Sequence, residues 1–191
     1  MTRRYDTISA VVLAGGQSRR MGANKALLRI DDITFIARII NTLQERFPGI
    51  YISANKQEEY EVLKRPVITD IFTGYGPLAG IHAALNTIPT NYVFTVPCDV
   101  PFISTGVVDM LVDAIESDTI VIAYDGERTH PLIGIYPRSA CKSLEEYLQN
   151  NERQVHKFLE MSKHRRVDIA KFAEAVKNIN TVEEYKRIVG R

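Results

Sequence analysis

Residues 13–28 read LAGGQSRRMGANKALL, an apolar stretch that runs into paired glycines, two arginines, a third glycine and a lysine. Glycines let backbone N–H groups approach an anion closely, and Arg19, Arg20 and Lys25 supply positive charge, so the combination suits a phosphate or polyphosphate. The spacing matches neither of the two familiar phosphate loops: there is no G-K-[ST] ending and no G-x-G-x-x-G. A second candidate lies in PCDVPF, residues 97–102, where Asp99 sits between Pro97 and Pro101 directly after an apolar run. A carboxylate in a stiff loop near a phosphate offers what Mg2+ takes, one or two carboxylate oxygens with phosphate and water completing the shell. Asp70, at the end of PVITD, is a further carboxylate of this kind; each aspartate also reads as a capping or loop-start residue.

Other reactive side chains form no comparable set. His82, His130, His156 and His164 show no metal-ligand spacing and complete no Ser/His/Asp or Cys/His arrangement, so they are read as non-catalytic. Cys98 reads as a small hydrophobe, and KHRR (163–166) as a solvated edge.

The elements that must position these residues are legible as short apolar runs bounded by turn residues. They are ISAVVLA (8–14), IYISA (50–54), PVIT (66–69), YVFTV (92–96), TIVIAY (119–124) and PLIGIY (131–136), each read as a strand buried on both faces. Between strands, Phe35, Ile36, Ile39, Ile40, Leu43 and Phe47 recur at helical offsets. Thr181 followed by Glu184 is a capping box that opens a final helix. Strand and helix alternate, which predicts an α/β fold with a mostly parallel sheet covered by helices. In such a sheet ligands bind beyond the carboxyl ends of the strands. The residues just past the first four runs are the glycine segment, Asn55, Asp70 and Asp99, and the topology gathers them at one edge.

Composition narrows the function classes. The chain has 191 residues, 45% of them hydrophobic, enough for one domain with a sizeable core and too apolar for disorder. With 24 basic and 23 acidic residues the formal charge is +1, so no overall field draws the chain to nucleic acid or membrane. Cys98 and Cys141 form neither a C-x-x-C pair nor a zinc set, as expected of a reduced protein. Twin arginines precede the first apolar run, as in an export signal, but Gly15 and Gly16 break that run and no A-x-A site comes after it. No later stretch approaches the ~18 apolar residues of a membrane span. These features predict a cytoplasmic protein made of a single domain, residues 1–191.

LAGGQSRRMGANKALL, GPLAGI (76–81), PCDVPF, DGERTHPLIGIY (125–136) and NINTVEEY (178–185) together resemble the molybdenum cofactor guanylyltransferase family, in the family's order and over nearly the whole chain. The resemblance implies a three-layer, Rossmann-like nucleotidyltransferase fold. It implies guanylyl transfer from GTP to the terminal phosphate of molybdopterin, with Mg2+ and release of pyrophosphate. Leu13, Ala14, Gly15 and Gly16 match the nucleotide-contacting segment, and Lys25 the phosphate-contacting lysine. Asn55, Asp70 and Asp99 match further GTP-site positions, with Asp99 the magnesium ligand; Arg20 and Lys25 would screen the leaving phosphates. Asn178 and Asn180 fall in an N-x-N segment associated with the pterin. The resemblance also implies handover partners among other molybdenum cofactor biosynthesis proteins and molybdoenzyme chaperones. Many relatives carry Asp immediately before the lysine, whereas this chain has Asn24, which removes a charge there. Two alternatives stay open: a cytidylyl- or sugar-phosphate nucleotidyltransferase, and a non-catalytic GTP-binding assembly module.

Overall fold

The computed structural model describes residues 3–15 and 24–190. Its strands are β1 (Ile8–Leu13), β2 (Arg29–Ile30), β3 (Ile33–Thr34), β4 (Gly49–Ser53), β5 (Val67–Ile68), β6 (Tyr92–Pro97), β7 (Ile120–Tyr124), β8 (Thr129–Pro137) and β9 (His164–Asp168). Its α-helices are α1 (Phe35–Leu43), α2 (Pro77–Thr87), α3 (Thr105–Asp113), α4 (Ala140–Gln149), α5 (Val155–Glu160) and α6 (Val182–Val189). Seven strands form one sheet in the order β5-β4-β1-β6-β8-β7-β9, and β2 pairs with β3 in a separate hairpin. Only β8 runs against its neighbours; the other pairings in the large sheet are parallel.

All six apolar runs become strands of this sheet, and β1, at its heart, is buried along its whole length. Alternation explains why. Ala10 and Val12 point into a core shared with α1, α3 and Phe94, while Val11 and Leu13 point into a second core shared with α2, α4 and α5. Helices therefore cover both faces, and a strand so covered has no use for a polar side. Helix α1 begins at Thr34, whose hydroxyl accepts from Ala37 N at 3.3 Å, and it buries Phe35, Ile36, Ile39, Ile40 and Leu43. Phe47 lies past the end of the helix yet is 1% exposed, because its ring stacks on Phe94 of β6 at 5.4 Å.

GPLAGI has a packing explanation. Pro77 occupies the first turn of α2, where its missing N–H costs nothing. Gly80 faces the sheet, and a Cβ there would stand 2.5 Å from the Ser53 hydroxyl and 3.3 Å from Leu13. The helix thus lies close against the very strand ends that carry the site.

Two features go beyond the pattern. Strand β9, HRRVD, is largely exposed at the sheet's edge, so KHRR is the solvated edge expected but also a paired strand. Its charges suit an edge that must not recruit another strand. The hairpin β2–β3 turns through Asp31 and Asp32 with φ of 48° and 63°, the left-handed pair a two-residue hairpin needs. Among the described residues no helix is long and apolar enough to cross a membrane.

Gly134 pairs with Thr95 on one side and Ile122 on the other, and a Cβ on it would lie 2.5 Å from the Val121 carbonyl oxygen. Backbone in the middle of a sheet cannot move aside. Gly134→Ala is expected to cost about 1–3 kcal/mol and lower the melting temperature by several degrees; thermal denaturation with an unchanged midpoint would contradict this packing.

Candidate active site

The parallel strands β5, β4, β1 and β6 end side by side, and the predicted residues stand at those ends. The strand ends are tied to one another: Ala14 N donates to Ser53 O at 2.8 Å, and Cys98 N donates to Leu13 O at 3.1 Å. Leu13 and Ala14 are buried, so what they present to a ligand is backbone. Gly15 opens toward the neighbouring strand ends, where a Cβ would sit 3.8 Å from Asp70 Oδ2 and 3.9 Å from Asn55 Nδ2.

Asn55 and Asp70 hold each other. Asn55 Nδ2 donates to Asp70 Oδ2 at 2.9 Å, and Asp70 N donates to Asn55 Oδ1 at 3.1 Å. Burial pushes the Asp70 carboxyl upward from its ordinary value, against the hydrogen bonds from Asn55 and Ser53. Its Oδ1 is buried and finds no hydrogen-bond partner among the described residues.

Asp99 occupies the loop after β6. Lys25, at the start of the 3-10 turn Lys25–Leu27, places Nζ 3.8 Å from Asp99 Oδ2 and donates to Asn180 Oδ1 at 2.8 Å. Burial pushes the Asp99 carboxyl up, and Lys25 opposes this only in part. Its Oδ1, like that of Asp70, is buried without a partner among the described residues. A buried carboxylate oxygen left unsatisfied is costly unless something cationic or hydrogen-bonding meets it.

The C-terminal segment arrives here by a backbone bond: Ile179 N donates to Asp99 O at 2.9 Å. Ile179 itself is buried with Ile30 and Phe35, and Tyr185 and Ile188 of α6 pack onto that cluster. Glu184 closes the capping box and more, accepting from both Thr181 N at 3.0 Å and Asn180 N at 2.6 Å. Asn180 is thereby held against Lys25, while Asn178 is exposed on the same segment. The structure thus brings together Leu13, Ala14, Gly15, Lys25, Asp99 and Asn180, with Asn55 and Asp70 beside Gly15. Gly16, Arg19 and Arg20 lie outside the described residues.

One feature was missed from sequence. DGERTHP forms the β7–β8 turn, at the edge where β6 ends. Asp125 Oδ1 accepts from Glu127 N at 2.9 Å and Arg128 N at 2.7 Å, and Oδ2 lies 2.7 Å from His130 Nε2. His130 is therefore a structured partner of Asp125 at that edge of the sheet. The signal was available as an aspartate with N–H groups two and three residues on, the usual Asx turn. Cys98 packs on the core as expected, its thiol pushed up to about 12 by burial first and by Asp99 second. It is not a reactive thiol.

Residues 10–167 match the family described as the MobA-like NTP transferase domain. The chain belongs to the MobA-like NTP transferase family. Its relatives include a Clostridium perfringens protein named "Probable molybdenum cofactor guanylyltransferase", 39% identical and covering 95% of this chain and 96% of that one. The molybdenum cofactor guanylyltransferase of Haemophilus influenzae is 35% identical, covering 96% and 98%. The fold is shared with the crystal structure of molybdopterin-guanine dinucleotide biosynthesis protein A from Archaeoglobus fulgidus, at a TM-score of 0.80, 24% identity and coverage of 95% and 97%. Lys25, Asn55, Asp70 and Asp99 of this MobA-like chain fall inside the family match. Asn178 and Asn180 lie beyond it, and it is the bond between Lys25 and Asn180 that ties them to the site.

The turn at Asp125 carries a pH prediction. Burial alone would raise this carboxyl, but the bonds from Arg128 N, His130 and Glu127 N outweigh it and hold the group at about 2, below the ordinary 3.8. A depressed carboxyl stabilises the fold above its unfolded value, and that contribution is lost as pH falls through the folded one. Between pH 4 and 2 the wild-type protein is therefore expected to lose stability more steeply than Asp125→Asn; parallel denaturation profiles would refute the turn's ionic role.

Proposed function

We propose that this chain, acting as one cytoplasmic domain, transfers GMP from GTP to the terminal phosphate of molybdopterin. The reaction forms the guanine dinucleotide form of the cofactor and releases pyrophosphate. The observation that carries the reading is the placement of Lys25 between Asp99 on the nucleotide side and Asn180 on the C-terminal segment. The names of the relatives, molybdenum cofactor guanylyltransferases, support a guanylyl donor and a molybdenum cofactor acceptor.

The chemistry asks little of a general base, because the attacking group is a phosphate oxygen already ionised at neutral pH. A bond forms between that oxygen and the α-phosphorus while the bond from the α-phosphorus to the bridging oxygen breaks, the electron pair leaving with pyrophosphate. What the protein must do is bring two anions together in line and offset their charge. Lys25 would face the phosphates of GTP, joined by Arg20 and the backbone N–H groups after β1. Asn55 and Asp70, locked to each other, would border the nucleotide beside Gly15. Asn178 and Asn180 would contact the pterin substrate, with Asn180 bonded to Lys25.

Mg2+ fits the donor set. The buried Oδ1 of Asp99, without a hydrogen-bond partner among the described residues, and the incomplete compensation of its charge by Lys25 describe a carboxylate suited to a dication. Among the described residues no three His, Cys, Asp or Glu side chains cluster to hold a metal. Bound at Asp99, Mg2+ would supply charge neutralisation at the phosphates.

Asp99→Asn keeps shape and removes charge. It is expected to lower turnover on the order of a thousandfold, the loss of several kcal/mol of transition-state stabilisation. Because the carboxylate's burial is poorly compensated, the melting temperature should hold or rise; a destabilised variant with normal turnover per folded molecule would make Asp99 a loop cap instead. The activity itself is tested by pyrophosphate release with molybdopterin and each of the four nucleoside triphosphates. Turnover with GTP well above CTP is expected. Equal turnover with CTP would remove the guanylyl assignment, and GTP binding without turnover would make the chain a binding module.

A further inference from the structure

The residues on either side of positions 16–23 share one buried hydroxyl. Tyr60, in the 3-10 segment Gln57–Leu63 between β4 and β5, is 1% exposed, with its ring in the core it shares with α1. Its hydroxyl donates to Ala14 O at 3.4 Å and accepts from Asn24 Nδ2 at 2.9 Å. One oxygen thus touches the chain just before the glycine-rich segment and just after it.

Asn24 is fully engaged. Its Oδ1 accepts from Ala26 N at 3.0 Å and caps the turn that carries Lys25, while Nδ2 also donates to Glu59 Oε2. Asn24 and then Lys56 hold the Glu59 carboxyl below its ordinary range, so Glu59 presents a charged acceptor. That chemistry accounts for an amide at position 24. A carboxylate there would have no N–H for Glu59 or Tyr60 and would set two negative charges against each other.

We propose that Tyr60 and Glu59 are positioning residues for nucleotide transfer: through Asn24 they fix where Lys25 stands, and through Ala14 Tyr60 holds the strand end from which the glycine-rich segment departs. The proposal rests on Lys25 meeting the phosphates of GTP. Neither residue need touch substrate. Their effect is to remove conformational choice from the lysine before nucleotide arrives, which lowers the ordering cost of binding.

The test is a set of variants measured for kcat/KM with GTP, for GTP affinity by titration calorimetry, and for melting temperature. Tyr60→Phe keeps the buried ring and deletes only the hydroxyl with its two hydrogen bonds; kcat/KM for GTP is expected to fall about three- to tenfold, since only the bond to Asn24 bears on Lys25, with GTP affinity falling in step. Asn24→Asp is expected to fall by about tenfold or more, since it removes a donor and adds a repulsion. Adding Glu59→Gln to Asn24→Asp restores a donor and acceptor pair with its direction reversed, and activity should return to within about threefold of wild type. A purely structural role would shift melting temperature and leave kcat/KM per folded molecule unchanged. An unaffected Tyr60→Phe, or a double variant as impaired as Asn24→Asp alone, would overturn the proposal. Lys25→Ala serves as the control: if it too is unaffected, the reading of Lys25 fails first, and if it alone is impaired, only the positioning role fails.

Discussion

A lysine held between a buried carboxylate and an amide 155 residues further along the chain is the contact on which the site depends. The Asp99 side chain is largely covered, its Oδ1 is buried and unsatisfied among the described residues, and Lys25 is too far from Oδ2, at 3.8 Å, to make a full hydrogen bond to it. A fully matched ion pair would be a finished structural element. An undermatched one retains a demand for charge, which the metal-bound triphosphate of the proposed function would meet.

The fold exists to bring this contact about. Parallel strands end at a common edge, and backbone bonds from Ala14 to Ser53 and from Cys98 to Leu13 keep those ends level. The C-terminal segment, although far away in sequence, reaches the same edge because Ile179 is buried in a small apolar cluster with Ile30 and Phe35 and bonds through its N–H to Asp99 O. Burying an isoleucine contributes about 1.5–3 kcal/mol, enough to dock a terminal segment that local propensity alone would leave free. Glu184 then fixes the direction from which Asn180 meets the lysine.

The fold was legible where hydrophobic burial sets the pattern. Strands β1, β4, β6, β7 and β8 are apolar because helices cover both faces, and α1 shows its stripe for the same reason. Strand β9 is not legible as a strand, because HRRVD lies at an edge where no apolar pattern is required. The residues at strand ends, Gly15, Asn55, Asp70 and Asp99, were also legible, since topology places such ends together. The clasp of Tyr60, Glu59 and Asn24 was not, because it joins three side chains across a crossover whose path only the folded chain defines. In the sequence, Asn in place of the relatives' Asp before Lys25 reads as a lost charge; in the structure it is a donor facing Glu59. His130 shows no metal-ligand spacing and completes no catalytic set in the sequence; in the structure it pairs with Asp125, five residues upstream across a turn.

Lys25 and Asn180 are joined by a hydrogen bond, and under the proposed function they act as one unit that joins the nucleotide and acceptor sides. A double-mutant cycle of Lys25→Ala and Asn180→Ala, read as kcat/KM with GTP and molybdopterin, tests this most directly. The two losses are expected to be non-additive, with an interaction energy of about 0.5–3 kcal/mol, because each variant already breaks the shared contact. Strict additivity, with each variant affecting its own substrate independently, would contradict it.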